Sequence, residues 1–184
     1  MKEISALIPL AEGFEEVEAI TLIDLLRRAE FKVITVSISG EKSVKGAHDI
    51  VVESDKLLSE VTSDKFDAII LPGGMPGTLN LKASESLKTA TLAWVLEGSA
   101  YGAICAAPTV LSEWGLMDDL NCTCYPAFKD QLGKAKYSSD KVVVDGKVIT
   151  SQGVGTAIDY ACAWVKYFKT PEDAEVLKRQ VLAN

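Results

Sequence analysis

Short apolar, β-rich runs alternate along this chain with longer stretches in which apolar residues recur every three or four positions. Ile4–Pro9, Lys32–Ile38, Asp67–Leu71, Ala100–Cys105, Asn121–Cys124 and Val142–Thr150 read as strands. Glu15–Ala29, Ser84–Leu96, Ala107–Trp114, Thr156–Phe168 and Pro171–Leu182 read as helices. The alternation predicts an α/β fold whose mainly parallel sheet is covered by helices on both faces, and the apolar run ending at Leu71 suits a strand buried on both sides. Two hairpin additions are expected, one across Ser43–Ser54 and one from Val142–Asp145 to Lys147–Thr150 that turns at Asp145-Gly146. No repeat, low-complexity run or linker interrupts the pattern, so residues 1–184 read as a single domain. In such a sheet ligands gather where strand ends meet helix beginnings.

Composition narrows the function classes. With 184 residues, 48% of them hydrophobic, the chain can bury a substantial core. The 19 basic and 26 acidic side chains leave a formal charge of -7, which argues against nucleic acid and anionic membrane surfaces as partners. No stretch approaches the roughly 20 apolar residues of a membrane span. Met1-Lys2-Glu3-Ile4 runs directly into a strand-like segment, so no signal peptide is expected and the compartment reads as cytoplasmic. Four cysteines, Cys105, Cys122, Cys124 and Cys162, are too sparse for a disulfide framework. Cys122-x-Cys124 is too tight for a structural zinc pair and the single histidine, His48, lies far away in sequence, so no metal is expected.

Three places could carry chemistry. Tyr101-Gly-Ala-Ile-Cys105-Ala-Ala-Pro108 puts Cys105 at a strand-to-helix corner, with Pro108 in the first helical turn where proline is favoured. A cysteine at a helix start can have its pKa lowered to ~3.5–7.5, which makes a thiolate; the same pattern also suits a small buried hydrophobe. The second place is Glu18. At about 100° per residue it falls within about 40° of Leu22, Leu25 and Ala29, so it points with the apolar stripe of its helix. Glu16 falls about 20° from Arg27 on the opposite side, so the acids at this helix start need not share an environment. A carboxyl in low dielectric has a raised pKa and can donate a proton to a neighbouring thiolate, although an acid at a helix N-terminus also complements the dipole.

The third place is Leu71-Pro-Gly-Gly-Met-Pro-Gly77, where paired glycines let backbone amides approach another group as an oxyanion site requires; it is equally an ordinary glycine turn. Gly153-Val-Gly155 lacks the third small residue of a dinucleotide fingerprint, since Ile158 stands there. A protease-like triad is hard to build, because His48 belongs to the early hairpin and no second histidine exists.

These segments resemble the DJ-1/ThiJ/PfpI superfamily, especially its small YajL-like branch. The resemblance runs almost end to end. It is carried by Gly13-Phe-Glu-Glu-Val-Glu18, Leu71–Gly77, Ala103-Ile-Cys-Ala-Ala-Pro-Thr109, Thr123-Cys-Tyr-Pro126 with Asp130-Gln131, and Val142–Gly146 through Thr150–Thr156. It implies a flavodoxin-like three-layer sandwich with Cys105 as the oxidation-prone nucleophile on a strained elbow. It also implies a protonated carboxyl partner at Glu18 and an oxyanion or sulfinate pocket made by the amides of Gly74 and Ala106. A homodimer is implied too, with Asp24 and Arg28 at its interface; by spacing alone that pair is an exposed i,i+4 contact worth a few tenths of a kcal/mol.

Four positions depart from patterns in the superfamily. Tyr125 stands where many members have a histidine near the nucleophile, as it does in YajL-like proteins, and a tyrosine can still donate a hydrogen bond. Ala106 replaces the histidine that follows the nucleophile in the PfpI peptidases, which argues against proteolysis. His48 and Gln152 replace family arginines, which weakens anion binding.

The leading expectation is a cofactor-independent enzyme of glyoxalase or deglycase type, acting on α-oxoaldehydes or their early amine adducts with Cys105 as nucleophile and Glu18 as proton relay. The alternative is a redox-responsive stress protein or chaperone in which oxidation of Cys105 is the signal, and the plainest is a binding domain without catalysis.

Overall fold

The computed structural model describes residues 3–183; the expectation at Met1 and Lys2 lies outside them. The strands are β1 (Ser5–Leu10), β2 (Lys32–Ser37), β3 (Ser43–Lys45), β4 (Val51–Glu53), β5 (Lys56–Leu57) and β6 (Ala68–Leu71). They continue as β7 (Ala100–Ile104), β8 (Asn121–Cys122), β9 (Lys136–Tyr137), β10 (Val142–Asp145) and β11 (Val148–Ser151). The helices are α1 (Glu16–Arg28), α2 (Gly77–Ala83), α3 (Glu85–Leu96), α4 (Pro108–Glu113), α5 (Ala157–Phe168) and α6 (Pro171–Gln180).

Seven strands form the central sheet in the order β10-β11-β7-β6-β1-β2-β5. All pair in parallel except β10, which turns back on β11 as the Asp145-Gly146 signal requires. Along β1, Ala6, Ile8 and Leu10 face one layer and Leu7 the other, and all are fully buried. This is why parallel strands read as continuous apolar runs. The first layer packs α1, α5 and α6 through Leu22, Leu26, Tyr160, Trp164 and Leu177. The second packs α3 and α4 through Leu87, Trp94, Val110 and Leu111. The result is the expected mainly parallel sandwich with helices on both faces. Among the described residues no helix is long and apolar enough to cross a membrane.

The expectations fail locally where a side chain or a turn takes over the backbone. The Ser43–Ser54 hairpin is β3 against β4, but it forms its own two-stranded sheet and does not extend the main one. The strand expected at Asn121–Cys124 stops at Cys122, because the Thr123 N–H donates to Thr150 Oγ1 at 2.9 Å and the Tyr125 N–H to the Cys105 carbonyl at 2.8 Å. Helix α2 gave no sequence signal: seven residues beginning at a glycine show too little periodicity to register. The expected helix ending at Leu182 closes at Gln180, since Leu182 turns to a φ of 56°. Elsewhere caps match the pattern, Ser84 accepting from the Leu87 N–H and Thr170 from Asp173.

Candidate active site

Strand β7 reaches the site through Gly102, where a Cβ would collide with the Ile149 carbonyl and press on Tyr160 and Trp164. The strand ends at Ile104 because Cys105 takes a φ of 65°, a left-handed conformation that costs a non-glycine residue about 1–2 kcal/mol. Two hydrogen bonds hold it there. The Cys105 N–H donates to the Ser151 carbonyl of β11 at 3.0 Å, and the Cys105 carbonyl accepts from the Tyr125 N–H at 2.8 Å. Sulfur therefore projects from the sheet's carboxyl edge, partly accessible, whereas Cys122, Cys124 and Cys162 are buried and free.

The glycines after β6 are needed for what stands around that sulfur. A Cβ on Gly73 would sit 2.6 Å from Cys105 Cβ and 2.7 Å from Glu18 Oε2, and one on Gly74, whose φ is 95°, would strike the backbone of Gly13 to Glu15. Stripped of side chains, the turn threads between the cysteine and α1. Its Gly73 N–H donates to Glu18 Oε2 at 2.9 Å, and the Gly73 carbonyl accepts from the Glu15 N–H at 2.9 Å. The Gly74 and Ala106 N–H groups face the sulfur and favour its anion.

Glu18 is fully buried, as the helical periodicity of α1 requires. Its second oxygen, Oε1, has no partner that meets hydrogen-bond geometry, yet it stands close enough to the thiol for each group to perturb the other's titration. Burial raises the Glu18 pKa from 4.5 to about 7, against the pull of the Gly73 N–H. Burial first, and then the negative charge of Glu18, push the Cys105 thiol upward, opposed by the two amides. The expected simple low-pKa thiolate is thus corrected. Helix α4 has six residues and little dipole, and burial of the sulfur acts in the opposite direction. The Glu18 carboxylate opposes a second negative charge on the sulfur, so the two groups titrate as a coupled pair.

The acids at the start of α1 have three different environments. Glu16, placed by its helical angle on the polar side, is in fact buried: the loop between β3 and β4 folds over it, and Gly46 makes room, since a Cβ there would overlap the Glu16 carboxyl. Burial alone would raise its pKa, but the His48 ring at 2.9 Å and the N–H groups of His48 and Ile50 hold the carboxyl below its ordinary range. His48 is raised in turn, by the Glu16 hydrogen bond and then by the charge of Glu15. Glu15 lines the cleft at Cys105, so the site holds a second carboxyl that the sequence reading did not single out.

The cleft, about 460 Å³, is otherwise bounded by Tyr125, Pro126 and the turn after β11. From the point a Cβ would occupy on Gly153, Tyr125 Cδ2 lies at 3.6 Å, Glu18 Oε1 at 3.7 Å and Cys105 Sγ at 3.9 Å, so this glycine keeps the cleft open. Its place beside β7 at the end of β11 was the available signal. Gln152 turns its amide to the Ser139 carbonyl at 2.9 Å. Asp24 and Arg28 pair at 2.8 Å on the exposed side of α1 and do not line the cleft.

Residues 4–167 match the sequence profile of the DJ-1/PfpI family. The Drosophila melanogaster protein dj-1beta is 42% identical over 159 residues, which cover 85% of each chain. Its crystal structure superposes with a TM-score of 0.95 over 100% of both chains, at 37% identity. The Caenorhabditis elegans protein named glutathione-independent glyoxalase DJR-1.2 is 38% identical over 178 residues, 94% of this chain and 93% of its own. Arabidopsis thaliana protein DJ-1 homolog B is 37% identical over 170 residues, and this chain spans 91% of itself but only 39% of that protein's length. Fold, elbow and profile agree: the chain belongs to the DJ-1/PfpI family.

Proposed function

We propose that this protein is a cofactor-independent glyoxalase-type enzyme that converts α-oxoaldehydes such as methylglyoxal, or their early amine adducts, to hydroxy acids. One observation carries the reading: a partly accessible sulfur, a buried carboxyl beside it and two backbone N–H groups facing the sulfur meet in one cleft. The family relative named a glutathione-independent glyoxalase supports it. In this reading the Cys105 thiolate adds to the aldehyde carbon, the carbonyl electron pair moves to oxygen beside the Gly74 and Ala106 N–H groups, and Glu18 protonates that oxygen. Ionised Glu18 then removes the hydrogen on C1 as a proton and gives it to the C2 oxygen, forming an enediol, and protonation of C2 with loss of the C1 hydroxyl proton converts this to a thioester. Water cleaves the thioester and releases the hydroxy acid and Cys105. Tyr125, half exposed at the mouth, offers a hydroxyl to the substrate.

A redox role is the second reading, because Cys105 is the one of the four cysteines that is not buried and an oxidised sulfur would meet the same amides and carboxyl. One set of samples separates the two. With methylglyoxal, Cys105→Ala should form no lactate, and Glu18→Gln should lose ~10²–10⁴-fold in rate while its thiol still alkylates. Equal lactate from all three proteins would end the enzymatic reading. Selective addition of two oxygens to Cys105 on peroxide titration, read by intact mass with no aldehyde turnover, would put the redox reading in its place.

The protonated carboxyl also leaves a thermodynamic trace. Because burial raises Glu18 from 4.5 to about 7, the folded state holds a proton that the unfolded chain has released between those values, so stability falls as pH rises through that window. Glu18→Gln keeps the acceptor for Gly73 and lacks this slope. In urea unfolding the two proteins should be close at about pH 4, and the wild type weaker at about pH 8 by about 3 kcal/mol. Parallel pH profiles would contradict a raised carboxyl.

We assign the exposed side of α1 to a second copy of the chain: Val17, Ile20 and Ile158 leave apolar surface beside the Asp24–Arg28 pair. Light scattering should give twice the chain mass for the wild type and the single mass for Val17→Asp; a monomeric wild type refutes the assignment.

A further inference from the structure

We propose that Glu15 is a second proton-carrying group of the cleft, and that it exchanges protons with solvent through His48. The proposal rests on the glyoxalase-type reading. That reaction removes one hydrogen from C1 and places one on C2, and Glu18, fully buried with one oxygen held by the Gly73 N–H, is poorly placed to exchange with water between the two events. Left alone, it would hand back the hydrogen it took.

Glu15 stands between that enclosed carboxyl and the outside. It lines the cleft together with Cys105 and Glu18, and its charge is felt by Glu18. Its backbone is tied to the glycine turn through the Gly73 carbonyl, which fixes it at the rim just ahead of α1. Its side chain is 14% exposed, and on its outer side His48 Nδ1 lies 3.6 Å from Glu15 Oε2 while the histidine side chain is 68% exposed. Imidazole takes a proton on one ring nitrogen and releases one from the other, so a ring that reaches both a carboxylate and water can pass protons between them. The same Nδ1 hydrogen-bonds to Glu16 at 2.9 Å, but Glu16 does not line the cleft and also accepts from backbone N–H groups under the hairpin. The path from cleft to water is therefore Glu15, then His48.

The protons balance with the two carboxyls dividing the work. Glu18 takes the C1 hydrogen as a proton, the C1–H electron pair becomes the enediol double bond, and Glu18 gives that proton to the C2 oxygen. Glu15 receives a proton from solvent through His48, gives it to C2, accepts the proton that the C1 hydroxyl loses as the thioester carbonyl forms, and returns that proton through His48. Both carboxyls return to their starting states, and the hydrogen left on C2 comes from the group that exchanges with solvent. His48 acts through Glu15 and is a positioning and relay residue.

The test is to convert methylglyoxal in deuterium oxide and to read protium against deuterium at lactate C2 by NMR. Wild type should place mostly deuterium there. Glu15→Gln and His48→Ala should each retain at least about threefold more protium, as expected when the buried acid handles both transfers, and added imidazole should restore deuterium in His48→Ala but not in Glu15→Gln. An identical isotope ratio in all three proteins overturns the proposal while the glyoxalase-type reading survives. A folded wild type that forms no lactate overturns that reading and this proposal together.

Discussion

A buried carboxyl and a half-buried thiol meet where burial opposes the charge on each, and the glycine turn and elbow around them make that approach possible. The Glu18 side chain has no exposed surface, its Oε1 lacks a hydrogen-bond partner, and bare Gly73 packs against both it and Cys105. Burial penalises each charge, and the charge of Glu18 penalises a second one on the sulfur, so the pair titrates together where isolated groups would behave independently. The left-handed elbow, the bare Gly73-Gly74 turn and the inward face of α1 are the structural terms of that arrangement. Each would be unfavourable alone: the strained φ, the flexible glycines and the buried acid all oppose stability. Their coincidence at the carboxyl edge of one sheet is what points to chemistry and away from packing.

The scaffold explains how so costly a site persists. Strands β6 and β7 are buried on both sides and pinned by neighbours, with the sheet continuing through β1 on one flank and β11 on the other. The elbow's own N–H and C=O bond to Ser151 and Tyr125, so the segment that closes the cleft is tied to the residue it covers. Around the start of α1 the same logic separates three acids by position. Glu18 faces the dry pair, Glu16 is held ionised under the β3–β4 loop, and Glu15 stands on the rim between them.

The layers were legible in the sequence because burial on both faces makes parallel strands uniformly apolar and helices periodic. Glu18 was legible for the same reason: a helical angle states which residues meet the sheet. The same angle misplaced Glu16, since it carries no information about a hairpin from elsewhere in the chain that folds over the opposite face. Cys105 was readable as a corner residue, but its titration was misjudged by the argument from a helix start, because a six-residue α4 supplies little field and desolvation acts in the other direction. Glu15 reaches the cleft through contacts between loops distant in sequence, which no local pattern encodes, whereas Gly153 was marked by its place at the end of a strand beside β7.

The account is tested most directly by titrating the Glu18 side-chain carboxyl itself, by carbon-13 NMR of labelled protein, in the wild type and in Cys105→Ala. A buried carboxyl coupled to the sulfur requires a midpoint near 7, well above 4.5, that moves when the sulfur is removed. A carboxyl that ionises near 4.5 in both proteins would show two independent groups, and the chemistry derived from their pairing would have no basis.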